Sequence, residues 1–231
     1  MSAAPPKKSF LQCFPNQLRV AAVVGFQVPE TLISNDPAAI RRFSRLFGGT
    51  VVAKPLRAEY LKSRDGSMMS LRAECFGESL VADDHALEAG PYIFQRKLDA
   101  AFEVRVTVIG DCVFAARIDV QGDGDVIDSH YKKCAIDEFM LPTVIEQLCI
   151  KLGARMGLRF FCIDLLVTID GIFYFLELNQ AGQFLGLEYE VPSCRCLAAF
   201  CALLLGATEQ PDLRLAAVLE SREFADMAKM A

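Results

Sequence analysis

Asp164, Glu177 and Asn179 sit in two neighbouring apolar runs, where an acid must be answered by another charge. The stretch 159–190 reads RFFCIDLLVTIDGIFYFLELNQAGQFLGLEYE. Runs Phe160–Thr168 and Ile172–Leu178 flank Asp170-Gly171, and Asp-Gly between hydrophobic runs predicts an antiparallel hairpin with a two-residue turn. Side chains alternate along a strand, so Glu177 and Asn179 share one face while Leu176 and Leu178 take the other. Counting outward from the turn pairs Thr168 with Phe173 and Asp164 with Glu177. Acids inside apolar strands are costly unless paired or bound to a cation. Two carboxylates and a carboxamide are hard oxygen donors that suit Mg²⁺, which fills its octahedron with water and phosphate oxygens. The other reading, a solvated sheet face, fits poorly with flanks this apolar.

Two cations belong with this cluster. Arg105 lies within the apolar run Val104–Ile109, where a guanidinium requires an anion. That anion is either a bound phosphate or a core acid such as Asp119. Lys54 precedes Pro55 at the end of a short apolar run. It reads either as a phosphate contact or as an ordinary surface lysine.

The pattern D-L-L-V-T-I-D-G-I-F-Y-F-L-E-L-N-Q-A-G-Q-F from Asp164 to Phe184 resembles the metal-binding end of ATP-grasp ligases. The branch it resembles holds RimK-like ligases and the ribosomal-peptide maturases that make graspetides such as microviridins. Upstream, F-Q-R-K-L (94–98) and E-V-R-V-T-V-I-G-D-C-V-F-A-A-R-I-D (103–119) are similar to the family's hinge and its next two strands. P-E-T-L-I-S-N-D-P-A-A-I-R-R-F (29–43) and G-G-T-V-V-A-K-P-L (48–56) are similar to its phosphate-lysine helix and strand. The blocks keep family order across about residues 21–205, which makes the joint signal specific although each block alone is weak.

The resemblance implies an α+β fold of two lobes, each an antiparallel sheet with helices, with ATP in the cleft between them and Mg²⁺ on its phosphates. ATP would phosphorylate a peptide or protein carboxylate, and an amine or hydroxyl would attack the acylphosphate. Asp164, Glu177 and Asn179 would hold the metal. Lys54 would contact the phosphates, Arg105 would steady the transferring phosphoryl group, and the segment Gln95, Arg96, Lys97, Leu98 would meet the adenine edge. Phosphoryl transfer suits such a set, since positioning and cationic stabilisation supply most of the rate.

The chain departs from the pattern at several places. Arg96 stands where the hinge carries a glutamate, and Ala100 and Ala101 where basic residues are common. Ala181 replaces the second amide of the family's N-P-N-G-Q. Residues 64–67 are all that matches the phosphate-covering loop. Members of the branch also carry a front domain of about a hundred residues, whereas about twenty precede the first matching block here. The expectation is a truncated relative, or one that borrows that surface from a partner subunit or a second copy of itself. A non-catalytic remnant that binds nucleotide or peptide is the competing reading.

Composition narrows the classes. Of 231 residues 53% are hydrophobic, enough for a substantial core, and the mean hydropathy is +0.29. The longest apolar stretch, 196–207, is too short for a bilayer, and residues 1–9 carry no apolar signal segment. No membrane association is expected, and the location expected is cytoplasmic. A net charge of −5 argues against a nucleic-acid partner held by a basic field. Nine cysteines scattered through hydrophobic runs read as reduced, core-filling thiols. Cys194 and Cys196 with His85 or His130 do not make a zinc site.

The domain reading is an N-terminal extension 1–20, a small lobe 21–92, a large lobe 93–207 with the metal site, and a helical tail 208–231. Asn35-Asp36-Pro37 predicts a helix start and Gly48-Gly49 its end. Strands follow over 50–56, 93–98, 104–109 and 112–120. Helices are expected over 142–156, packed under the metal hairpin, and over 192–205. Gly122 to Asp125 reads as a solvated loop, and the family resemblance implies that His130 or Lys132 in this neighbourhood would touch substrate.

Overall fold

The computed structural model describes residues 13–56, 60–62, 68–70, 73–77, 84–88, 90–119 and 135–206. The expectations for the loop 122–125, for His130 and Lys132, for residues 64–67 and for the tail 208–231 lie outside them.

Helix α1 (Phe14–Val24) begins on Pro15 in its first turn and ends on Gly25 at φ 119. Strand β1 (Thr31–Ser34) and helix α2 (Pro37–Leu46) follow. As its sequence predicts, α2 is capped by the Asp36 carboxylate, which accepts from Ala38 N at 2.9 Å. Strands β2 (Val51–Pro55), β3 (Tyr60–Lys62), β4 (Met68–Ser70) and β5 (Glu74–Phe76), helix α3 (Asp84–Glu88) and strand β6 (Tyr92–Arg96) come next. Strands β1, β6, β2 and β5 form a four-stranded antiparallel sheet in that order, while β3 pairs with β4. Ile40 and Phe43 of α2 and Leu87 of α3 pack on Val51, Ala53 and Phe94, one face of this sheet. The alternate residues Val52, Lys54, Ile93 and Gln95 take the other face.

Residues 97–99 cross to a second sheet built from β7 (Ala100–Ile109), β8 (Cys112–Ile118), β9 (Ile136–Glu138), β10 (Phe160–Thr168) and β11 (Phe173–Asn179). Its order is β11-β10-β7-β8-β9, antiparallel throughout. Helix α4 (Thr143–Met156) closes on Gly157 at φ 66. With α1 it buries one face of the sheet: Leu18, Ala21, Cys149, Leu152 and Met156 pack on Val104, Val106, Ile163, Leu165, Phe175 and Leu178. Gly153 lies so close to Phe161 that a Cβ there would stand 2.6 Å from the ring. The opposite face is covered in part by helices α5 (Leu185–Glu190) and α6 (Cys196–Leu204), where Phe184, Leu187 and Ala199 meet Ile109, Ala116 and Phe160. The expected 192–205 helix thus starts at Cys196, after α5 and a turn. Leu197 N, in the first turn of α6, is bonded by the Glu188 carboxylate at 2.6 Å.

The hairpin turn differs from expectation. Thr168 N donates to Ile172 O at 3.0 Å and Gly171 N to Thr168 O at 2.8 Å. The loop therefore has three residues, 169–171, with Gly171 at φ 80 as the left-handed closing residue. Val167, rather than Thr168, faces Phe173. The one-residue offset is absorbed by a bulge after Asp164, so that Asp164 still faces Glu177. Leu176 falls at the bulge. Phe175 and Leu178 can then both enter the core although they are three residues apart.

Candidate active site

Strand register alone assembles the site. Glu177, Asp164 and Arg105 are successive cross-strand neighbours on β11, β10 and β7. One step along, Asn179, Cys162 and Thr107 form the parallel row. Both rows lie on the face opposite the α1–α4 core, beside the patch that α5 and α6 cover. The acids therefore stand on the unroofed part of a buried sheet.

Arg105 is 7% exposed. One nitrogen donates to both Asp164 oxygens, at 2.5 and 2.7 Å, and the other to the carbonyl of Gly182 at 3.0 Å. Burial works to lower its pKa, but the carboxylates of Asp164 and Glu177 outweigh that and raise it. Of the two sequence readings for its partner, a core acid is the one seen, and it is Asp164. Asp119 instead accepts from Arg117 at 2.7 Å.

Lys54 reaches this cluster from the other sheet. Its Nζ lies 4.1 Å from the centre of the Phe14 ring, at the start of α1. Burial pushes its pKa down to about 8, against the pull of Glu177 and Asp164. The side chain is half-buried.

Asn179 closes the acid strand onto a tight loop. Its Oδ1 accepts from Ala181 N at 2.9 Å, and Gln183 N donates to Ala181 O at 2.9 Å across Gly182, at φ 75. A Cβ at Gly182 would stand 2.1 Å from the Phe160 ring. Gln183 follows at φ 51, the left-handed region that a side chain resists. Sequence reasoning missed this anchoring of Gly182, although a Gly just after the polar pair Asn179-Gln180 at a strand end was a visible turn signal. It also missed Thr107 and Cys162, 3.2 Å apart, which strand alternation places beside Arg105 and Asp164. Burial raises the Cys162 thiol's pKa, so it stays protonated beside the acids.

The 95–98 segment leads out of the cleft face. Gln95 is buried and donates to the Thr31 hydroxyl at 3.0 Å, and Arg96 lies 3.5 Å from Glu30. The sheet ladder ends at Arg96, and exposed Lys97 and half-buried Leu98 form the crossing between the sheets.

The donor chemistry fits Mg²⁺: two carboxylates, a carboxamide oxygen with a lone pair left over, and no thiolate. Among the described residues there is no group of three or more His, Cys, Asp or Glu suited to a metal; the side-chain oxygen next along from the two acids is that of Asn179. No described helix is long and apolar enough to cross a membrane. The described cysteines are free thiols.

Two antiparallel sheets with helices, with a lysine from one turned toward paired acids on the other, define the ATP-grasp class. A model of the RimK-like ATP-grasp domain matches residues 77–192, half of the chain, and the protein belongs to that family. No curated protein matches it. Solved structures do. The macrocyclase MdnC of Microcystis aeruginosa MRC, bound with precursor peptide MdnA, is similar at TM-score 0.77 and 27% identity, over 86% of this chain and 61% of that one. A RiPP-associated ATP-grasp ligase of Chryseobacterium gregarium, in complex with ADP and a leader and core peptide, is similar at 0.79 and 27%, over 90% and 64%. The ATP-grasp ligase PsnB, complexed with a phosphomimetic variant of its minimal precursor, Mg and ADP, is similar at 0.70 and 28%, over 87% and 60%. This chain thus spans about three fifths of the length of each.

Proposed function

We propose that the protein is an ATP- and Mg²⁺-dependent ligase that activates a peptide carboxylate as an acylphosphate and joins it to an amine or hydroxyl, giving an amide or ester. One observation carries the reading: Lys54, Arg105, Asp164 and Glu177 converge from four strands of two sheets. A charge cluster of this kind, inside otherwise apolar strands, has no structural need that hydrophobic residues would not serve better. The ligands in the similar structures, ADP, Mg and precursor peptides, support the same assignment.

Mg²⁺, when bound, supplies charge neutralisation for the phosphates and for the leaving oxygen. Asp164, Glu177 and Asn179 are the residues to hold it. Lys54 orients the phosphate chain, and Arg105 offers donors to the oxygens of the transferring group. The backbone of Gln95 and Arg96, the last two residues of the ladder, and of Lys97 and Leu98 just past it, meets the adenine edge. The small lobe is taken as residues 21–92 and the large lobe as 93–207, although β6 pairs into the first sheet across that boundary, and the location is cytoplasmic.

The test is ADP release that requires both Mg²⁺ and an acceptor peptide. Asp164→Ala and Glu177→Ala are each expected to lower it by about a hundredfold or more. Either variant at full activity removes the assigned site.

A second reading, a non-catalytic subunit that binds nucleotide or peptide beside a partner chain or a second copy, is favoured by the Arg105–Asp164 ion pair, which engages the cation proposed for catalysis. Titration calorimetry with Mg²⁺ and ATP separates the two. Nucleotide binding with no turnover on an acceptor peptide that does bind selects the subunit.

A further inference from the structure

Arg105 and Asp164 hold each other where the chemistry would have both of them hold something else. Both carboxylate oxygens of Asp164 are taken by one guanidinium nitrogen, at 2.5 and 2.7 Å. The guanidinium is fixed from its other side by the Gly182 carbonyl at 3.0 Å. Side chains of the pair are 8% and 18% exposed, so water screens them little. Lys54 completes the cluster through its attraction to Glu177 and Asp164. Two cations and two acids sum to zero. A divalent ion entering this cluster alone would meet an arginine already seated on its strongest ligand and would be repelled by it.

A polyphosphate changes that balance, because it offers Arg105 and Lys54 a better anion and leaves the acids free. From this geometry we infer that Arg105 is an internal counter-ion that closes Asp164 to divalent metal until nucleotide arrives, so that metal and nucleotide bind with strong positive coupling. By linkage the coupling is reciprocal: metal tightens nucleotide by the same factor. The Gly182 contact gives the arginine a pivot, since it is retained whichever anion the other nitrogen meets. The inference rests on Asp164 and Glu177 being the metal acids, as proposed above, but not on turnover.

Mn²⁺ is the probe, its free concentration read by electron paramagnetic resonance in the full chain. The wild type without nucleotide is expected to bind Mn²⁺ at least about tenfold more weakly than with a non-hydrolysable ATP analogue, once the analogue's own chelation of the ion, measured without protein, is deducted. Arg105→Gln, without nucleotide, is expected to gain at least about tenfold in Mn²⁺ affinity over the wild type and to be raised in melting temperature by the ion. Arg105→Lys, which keeps the charge but loses the two-point grip, falls between. Adding Asp164→Asn to Arg105→Gln removes the gain. Nucleotide-free wild type binding Mn²⁺ as tightly as the analogue complex overturns the inference, as does a folded Arg105→Gln that gains nothing. Should Arg105→Gln not fold, the wild type and Arg105→Lys decide alone. Absent peptide-dependent ADP release would overturn the ligase reading and leave the Mn²⁺ result standing.

Discussion

At Lys54 the sign of the pH dependence follows from a folded pKa of about 8 against an ordinary 10.5. Below about pH 8 the side chain is charged in both folded and unfolded chains, and the fold bears the full cost of burying it. Between the two values the unfolded chain holds a proton that the folded one has lost, so stability rises with pH across that window. Lys54→Met should therefore stabilise the protein at neutral pH, and the increment should shrink as pH rises from about 8 to 10.5. Urea titrations of both proteins across that range check it. Gln183 makes a second case. Its φ of 51 costs roughly 1–2 kcal/mol for a side chain, so Gln183→Gly is expected to stabilise by up to about 1 kcal/mol once glycine's own entropy cost is deducted. A fall in melting temperature would refute that. The convergence of Asp164 and Glu177 on one face was legible from strand alternation, whereas their direct pairing came from a turn count that the bulge after Asp164 happened to restore. The partner of Arg105 was not, since strand alternation fixes a face but not which anion on that face wins.

Among elements, the β10–β11 hairpin shows where local signals stop. Asp170-Gly171 marked the turn, but whether two or three residues form it depended on the Thr168–Ile172 closure, which no dipeptide encodes. The bulge after Asp164 cancelled the error, and only packing of Phe175 and Leu178 against α1 and α4 explains why it is there. Helices α2 and α4 were readable from Asp36-Pro37 and Gly157 because capping is local. Helix α1 carried similar marks, Pro15, Gly25 and apolar Phe14, Leu18 and Ala21, but its place on the second sheet depends on contacts far away in the chain. The loop after β11 is similarly non-local. Gly182→Ala would drive a methyl into the Phe160 ring, which meets Phe184 edge-on and lies tilted against Phe200. We expect a loss of at least about 2 kcal/mol in unfolding free energy. Wild-type stability in that variant would show that the ring can give way.

For the molecule as a whole, the class of fold was visible in the order of blocks, and the way the two sheets face one another was not, because nothing local sets it. Ile93 of the four-stranded sheet belongs to the core of the five-stranded one, and Lys54 lies across Phe14. A ligand gripped from both sheets should tie them. A non-hydrolysable ATP analogue with Mg²⁺ is expected to raise the melting temperature by mass action and to slow amide exchange in β2 and β11 together. Protection in one strand without the other would place the nucleotide on a single sheet.

Gln17 of α1 spans Leu178 with its carboxamide, accepting from the backbone N–H and donating to the carbonyl, both at 3.0 Å, while Phe14 one turn earlier underlies Lys54. A segment remote in sequence thus splints the strand that carries Glu177 and props the lysine that faces it. Trimming the protein to its family-matched portion, residues 77–192, would cut away both supports and Lys54 with them, leaving Glu177 on an unsplinted strand.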